Sequence, residues 1–368
     1  MKRFGLKIDL FTFILTVAIG LTGVLLIASA RAEEPAKFVL GWQAKRQLSI
    51  LLAGLFFMII LAQIDYRLLC RIALPCYFIF LAFLLIVLLL GKDVGGSHRW
   101  LVLFGFQFQP SEFAKIFVLL ALCDFLSRNL PKVGEGLSII TSLLIILPPI
   151  LLVILEPDLG TSLCFVPILL GVMIMGNVSI GGIAKVVVVG LAVMPMGWFF
   201  LQDYQKERIL SFLNPSSDVL GQGYQSYQAK IAVGSGGIAG KGFFAGTQNI
   251  LGLIPGQHTD FIFTVIAEEK GFIGSVILLG LFTVLFLRAV QIAYRSNDSL
   301  ARMIIGGALG WLTFQVFINI GVSLGIMPVT GIPLPFMSYG GSSLLSSLVA
   351  VGLILSVHNF SPRYGRLG

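Results

Sequence analysis

Residues 137–176 read LSIITSLLIILPPILLVILEPDLGTSLCFVPILLGVMIMG. Two apolar runs, 137–155 and 160–177, flank the turn Glu156-Pro157-Asp158, whose carboxylates are the only charged side chains in the stretch. Each run approaches the roughly 20 residues that an α-helix needs to cross about 30 Å of hydrocarbon. Neither alternates apolar and polar residues every second position, as the strands of a membrane barrel do. Backbone inside lipid must satisfy its own hydrogen bonds, which leaves the helix.

The same pattern recurs on both sides of this stretch, near 10–30, 47–64, 72–91, 111–127, 182–201, 261–289, 304–326 and 337–357. The expected fold is an all-α integral membrane protein, a single polytopic domain over 1–368 with a bundle of about ten transmembrane helices. One large extracytoplasmic loop, approximately 202–260, separates spans 7 and 8. Composition agrees: 57% of the 368 residues are hydrophobic and 11% are charged, against about 25% charged in soluble domains. A cytosolic enzyme, a disordered chain and a disulfide scaffold are thereby excluded. The first apolar run follows Met1-Lys2-Arg3 and precedes Ala30-Arg31-Ala32. It is longer than a signal-peptide core and reads as an uncleaved first helix.

Net charge is +8, with the basic residues scattered singly between apolar runs. They suit anionic lipid head groups and topology, not nucleic acid. Lys2, Arg3, Lys7, Arg67, Arg71, Arg128, Lys132, Arg288, Arg295, Arg302, Arg363 and Arg366 fall on one side, with Arg31, Lys37, Lys45 and Arg46 opposite. The positive-inside rule makes the first side cytoplasmic and places both termini there. Cys70, Cys76, Cys123 and Cys164 lie in or beside apolar segments without a CxxC pair, and read as packing residues.

Polar residues cluster on the opposite, outer side. Gln109-Pro110-Ser111-Glu112-Phe113-Ala114-Lys115 opens the fourth span, with Ser111 as the expected N-cap. Glu112 and Lys115 are three apart on one helical face, either lining a polar cavity or snorkelling at the helix start. Glu156 and Asp158 suit cation binding or acid–base work, or Asp158 simply caps the next helix. In the long loop, Tyr224–Gly234 has the spacing of an interfacial helix. It runs into Gly234-Ser235-Gly236-Gly237-Ile238-Ala239-Gly240-Lys241-Gly242. No strand precedes this segment, so a dinucleotide fingerprint is rejected. Backbone N–H groups beside Lys230 and Lys241 suit a phosphate or diphosphate, or else form a plain turn. Asp260, two residues after His258, is a candidate base or a helix cap. Glu268 follows in an apolar segment, where an acidic residue is functional by default. Three prolines between Pro328 and Pro335 forbid regular helix before the last span.

Together these segments resemble the SEDS family (shape, elongation, division and sporulation) of polytopic bacterial membrane proteins. The motifs are Trp100 with Gln109-Pro110-Ser111-Glu112, Glu156 through Thr161, Ile231 through Gln248, His258 through Glu269, and Pro328 through Ser343. Gly246-Thr247-Gln248 and Pro328 to Pro333 resemble its elongation branch. Gly256-Gln257 departs from the Glu expected ahead of His-Thr-Asp. The resemblance implies a peptidoglycan glycosyltransferase of the bacterial cytoplasmic membrane, polymerising lipid II into β-1,4 glycan in cell elongation. It implies Asp260 as the general base. Trp100, Arg208, Lys230, Lys241, His258, Thr259 and Ser338 would meet substrate, and Glu112, Lys115, Glu156, Asp158 and Glu268 would support the cavity. A divalent cation, Mg or Mn, would assist the departing diphosphate. A class B penicillin-binding transpeptidase would be the partner, since no Ser-x-x-Lys set occurs here. The competing readings are a lipid II flippase and a non-catalytic scaffold.

Overall fold

The computed structural model describes residues 8–30, 40–91, 99–103, 106–213 and 222–361. Lys2, Arg3, Lys7, Arg31, Lys37, Arg363 and Arg366 lie outside the described residues, as does the side chain of Lys132.

The helices are α1 (Leu10–Ala30), α2 (Trp42–Ala62), α3 (Tyr66–Arg71), α4 (Ala73–Leu90), α5 (Pro110–Val133), α6 (Glu135–Leu155), α7 (Leu159–Leu163), α8 (Phe165–Met175), α9 (Ile180–Gly197), α10 (Asp203–Leu213), α11 (Gln222–Ser235), α12 (Thr247–Ile250), α13 (Ile262–Arg295), α14 (Ser299–Ser323) and α15 (Gly341–Phe360). Eight of these are long and apolar enough to cross a membrane among the described residues: α1, α2, α4, α6, α9, α13, α14 and α15. The remaining two expected spans are α5, which carries internal charges, and the broken pair α7–α8. A short antiparallel ribbon, β1 (Leu101–Leu103) with β2 (Phe106–Phe108), departs from the all-α expectation.

α14 and α15 form the centre, with Trp311 fully buried. α14 runs along α8, α15 along α2, and α1 along α13. Outward faces stay apolar, as at Leu52, Phe56, Leu89 and Ile277. In lipid, burying apolar side chains gives little drive, and close packing of small residues holds helices together. Gly171 and Gly306 show this: a Cβ on Gly171 would lie 2.1 Å from the Gly306 carbonyl oxygen.

Chain reversal at each span brings the C-terminal ends of α1, α4, α6, α9 and α14 to one end of the bundle. The N-terminal ends of α2, α5, α7, α13 and α15 meet them there. α10, α11 and α12 fill the segment between α9 and α13 at this same end. The opposite end is tied by ion pairs: Arg288 grips Asp9 through Nη2 (2.6 Å) and Nε (3.0 Å), and Arg67 Nη2 meets Asp298 at 2.7 Å.

α13 breaks at Gly271 (φ 64°, ψ −156°). Ahead of the break, Phe261–Glu269 are all buried. The glycine-rich segment after α11 packs backbone to backbone into this break. Lys241 and Gly242 donate their N–H groups to the carbonyls of Glu268 and Glu269, and Phe272 and Ile273 donate to those of Gly237 and Ile238. A Cβ on Gly240 would lie 2.2 Å from the Glu269 carbonyl oxygen. These glycines therefore serve a close crossing, and the Lys241 and Gly242 amides are not available to a phosphate.

Candidate active site

Asp260 sits two residues before the buried start of α13. Its own N–H bonds the Gly256 carbonyl at 3.0 Å, closing the turn. α13 is capped by Phe261, without a side-chain bond. The Asp260 carboxylate is thus not spent as a cap. Asn319 of α14 donates Nδ2–H to both Asp260 O and Ile332 O, each at 2.9 Å. One amide thereby joins the acid's backbone to the irregular segment 327–340. Ser338 fastens the same junction: its hydroxyl donates to Thr259 O (2.6 Å) and accepts from Leu334 N–H (2.8 Å). Tyr339 N–H bonds His258 O at 2.8 Å, and Gln47 Nε2 donates to Ser338 O at 3.0 Å. These bonds use the Ser338 hydroxyl within the fold, so its task is holding the acid's loop.

Gly331 has an αL-type backbone (φ 72°), and a Cβ there would lie 3.9 Å from both Arg208 Nη1 and Asp260 Oδ2. The Arg208 guanidinium and the Asp260 carboxylate therefore face one small space. Burial pushes the Asp260 carboxyl above the usual range; Arg99 and Arg208 pull against that rise, and Asp158 adds to it.

A cavity of about 60 Å³ opens beside this pair, lined by Arg99, Asp158, Tyr204, Arg208 and Thr330 among others. Asp158 caps α7 by accepting from Thr161 N–H at 3.1 Å and takes a 2.8 Å bond from Gln109 Nε2. It also holds Arg99 Nη1 at 3.4 Å. α10 docks on the same turn: Tyr204 OH and Gln205 Nε2 both donate to Pro157 O. The Arg208 guanidinium lies 5.5 Å above the Tyr204 ring, which fixes its approach. Glu156 is fully buried, with no hydrogen-bond partner for either carboxylate oxygen among the described residues. Burial first, and Asp158 second, raise its carboxyl to about 9. It is therefore a neutral acid at pH 7.

The other expected residues fall into three places. Trp100 is half-buried beside Arg99 at the start of the ribbon. Glu112 and Lys115 form a buried pair at 2.9 Å, with Ser346 donating to Glu112 at 2.8 Å and the ammonium 4.5 Å from the Trp311 ring centre. α5 starts from Gln109 with Pro110 at its first turn, so Ser111 is not the expected cap. Lys241 is bound to Glu268 (2.8 Å) and Thr247 (2.6 Å), and Glu268 also accepts from Gln248 N–H at 3.0 Å. That ammonium secures the loop to the α13 break. Lys230 is exposed, its stem lying against Gly325 at the end of α14. Of the expected cations, Arg208 alone lines the cavity.

Sequence reasoning missed Arg99, Gln109, Tyr204 and Asn319 as parts of this site. Arg99, next to Trp100, and Gln109, within the Gln109-Pro110-Ser111-Glu112 motif, carried a local signal. No group of three or more His, Cys, Asp or Glu able to hold a metal occurs among the described residues. Asp158 already serves Arg99, Gln109 and Thr161, so the donor set does not fit a protein-held divalent cation.

Comparison with known proteins places these features in context. A family model for FtsW, RodA and SpoVE, described as cell cycle protein, matches residues 8–363. The peptidoglycan glycosyltransferase MrdB of Escherichia coli (strain K12) is 42% identical over 316 residues, 85% of each chain. Stage V sporulation protein E of Bacillus subtilis (strain 168) is 36% identical over 369 residues, 96% of this chain and 97% of its own. The rod shape determining protein RodA of Thermus thermophilus superposes with a TM-score of 0.71 at 32% identity, covering 97% of this chain and 98% of that one. A chain from a peptidoglycan synthase complex, described as coordinating polymerization and crosslinking, gives a TM-score of 0.79 at 34% identity over 96% and 98%.

Proposed function

The chain belongs to the FtsW/RodA/SpoVE (SEDS) family and is a peptidoglycan glycosyltransferase acting in elongation, and from that premise we propose that Asp260 is the general base of glycan polymerisation. The observation that supports this reading is the uncapped, half-buried Asp260 carboxylate sharing one space with a guanidinium. The substrate is lipid II, whose disaccharide is α-linked through a diphosphate to a polyprenyl chain. The 4-hydroxyl of one sugar attacks the anomeric carbon of another, and the new C–O bond forms on the opposite face. The bond from that carbon to the phosphate oxygen breaks, and the lipid diphosphate leaves with the electron pair. Asp260 takes the hydroxyl proton as the nucleophile forms.

Positive charge near the leaving diphosphate lowers the barrier, because negative charge gathers there in the transition state. Arg208 supplies that charge directly. Trp100 offers an apolar ring for a sugar face. His258 and Thr259 shape the acid's turn. Asp158 lines the cavity and holds Arg99, while Glu112 with Lys115 and Glu268 with Lys241 support the helices and the loop around it. A divalent cation would be held by the diphosphate oxygens of the substrate and would neutralise charge that gathers there. The end carrying α10–α12 faces outward, and both termini lie in the cytoplasm. This orientation follows the charge bias and meets the lipid-linked substrate at the membrane surface. A class B penicillin-binding transpeptidase is the partner, a reading supported by the likeness to a chain from a synthase complex.

A flippase needs its polar groups near the midplane. Here the cavity and Asp260 lie at one end of the bundle. The test is polymerisation of purified lipid II by the full chain with its transpeptidase partner, comparing wild type with Asp260→Ala. Long glycan from wild type and none from a folded variant is the expected result. Equal polymerisation by both removes Asp260 from the chemistry.

A further inference from the structure

Two arginines, Arg99 and Arg208, line the cavity beside Asp260. Arg99 Nε and Arg208 Nε are both buried and lack a partner among the described residues, as does the Thr330 hydroxyl on the cavity wall. A buried donor without an acceptor is costly, more so when charged, and is retained where a ligand completes it. Both Nε–H groups belong to planar forks that match phosphate oxygens two at a time. Their guanidinium groups approach the cavity from different elements, Arg99 from the segment before β1 and Arg208 from α10.

Neither fork is free to wander. Asp158 holds Arg99 through Nη1 at 3.4 Å, while Arg99 lines the cavity and its Nε has no partner among the described residues. Asp158 is itself fixed by Gln109 and the α7 N-terminus. Arg208 rests on Tyr204, whose hydroxyl is anchored on Pro157 O. The two arginines thus line one cavity, each held in place by a neighbour.

We propose that Arg99 and Arg208, with the Thr330 hydroxyl, form a clamp for a diphosphate, Asp158 being the positioning residue that aims Arg99. The ligand is a lipid-linked diphosphate, and the clamp prefers it to the corresponding monophosphate because the diphosphate brings more negative charge and more acceptor oxygens to two guanidinium groups. This rests on the reading that the sugar donor departs from a lipid diphosphate. It replaces Lys241 and Lys230 in that role, since one is tied to Glu268 and the other lies against Gly325.

The test measures binding of undecaprenyl diphosphate and undecaprenyl monophosphate to the full chain in nanodiscs. Wild type binds the diphosphate at least about tenfold more tightly, the value of one charge-assisted contact. Arg99→Gln and Arg208→Gln each weaken diphosphate binding about 10- to 100-fold and monophosphate binding less than about threefold. Asp158→Asn gives a similar loss that is not additive with Arg99→Gln, as expected of a residue acting through another. Asp260→Asn leaves diphosphate binding intact or tighter, because a repelling charge is removed. If a Gln variant fails to fold, Arg99→Lys keeps the charge without the Nε–H and shows a partial loss. Unchanged diphosphate affinity in both arginine variants, or equal losses for the two lipids, overturns the clamp. A wild type that binds neither lipid contradicts the substrate reading beneath it, so the two failures are told apart.

Discussion

Replacing Glu156 with glutamine makes the protein more stable at neutral and alkaline pH. Glu156 is fully buried between α6 and α7, its oxygens lack partners among the described residues, and its carboxyl is raised from 4.5 to about 9. The sign follows from proton counting. Above the unfolded value the unfolded chain has released this proton while the folded chain keeps it, so stability falls as pH rises. Between 4.5 and pH 7 that loss is about 3 kcal/mol, at 1.36 kcal/mol per pH unit. It continues to grow until pH passes about 9. Glutamine has the same shape and no proton to lose, so it removes the dependence. Apparent melting temperature of wild type and Glu156→Gln in nanodiscs, scanned from pH 5 to pH 9, measures this directly. The variant melts several degrees higher at pH 8, and the gap closes toward pH 5. A variant that melts lower at pH 8, or a gap that does not change with pH, refutes a neutral buried Glu156.

Other outcomes follow from the same structure. Lys115→Met leaves Glu112 as an uncompensated buried charge and costs about 3–5 kcal/mol, much of it regained in Glu112→Gln/Lys115→Met, as read by thermal unfolding. Lys241→Ala and Glu268→Ala each free the loop from the α13 break; the double variant is no worse than either single one, and limited proteolysis within 236–250 reports it. Gly306→Leu drives a side chain into the α8 backbone at Gly171, and size-exclusion profiles show loss of the folded monomer. Polymerisation by wild type declines as pH falls through a value above the ordinary carboxylate range, because Asp260 must be ionised to accept a proton; a steady-state pH profile checks it.

Spans were legible because hydrocarbon imposes a length and forbids charge over that length. The turn at Glu156-Pro157-Asp158 announced itself as the sole charged break in 137–176. The Glu112–Lys115 pair was legible through helical spacing. Lys241 misled because Gly-rich sequence next to a lysine has the look of a phosphate cradle. Its glycines serve a backbone crossing with Gly271, and its charge serves Glu268, a contact made 27 residues along the chain. Arg99 was under-read for the converse reason. Its meaning depends on Asp158 and Arg208, which only tertiary packing brings to it. Asn319 lies inside an apolar span, where nothing local reveals that it fastens two loops at once.

The central claim is that Asp260 acts in the chemical step. Single-turnover glycan formation from lipid II, measured alongside lipid II binding, separates chemistry from affinity for wild type and Asp260→Asn. A general base at Asp260 predicts binding within about threefold of wild type and a rate lowered by at least about 10²–10⁴, the usual worth of such a group. A folded Asp260→Asn that binds lipid II and forms glycan at the wild-type rate contradicts it.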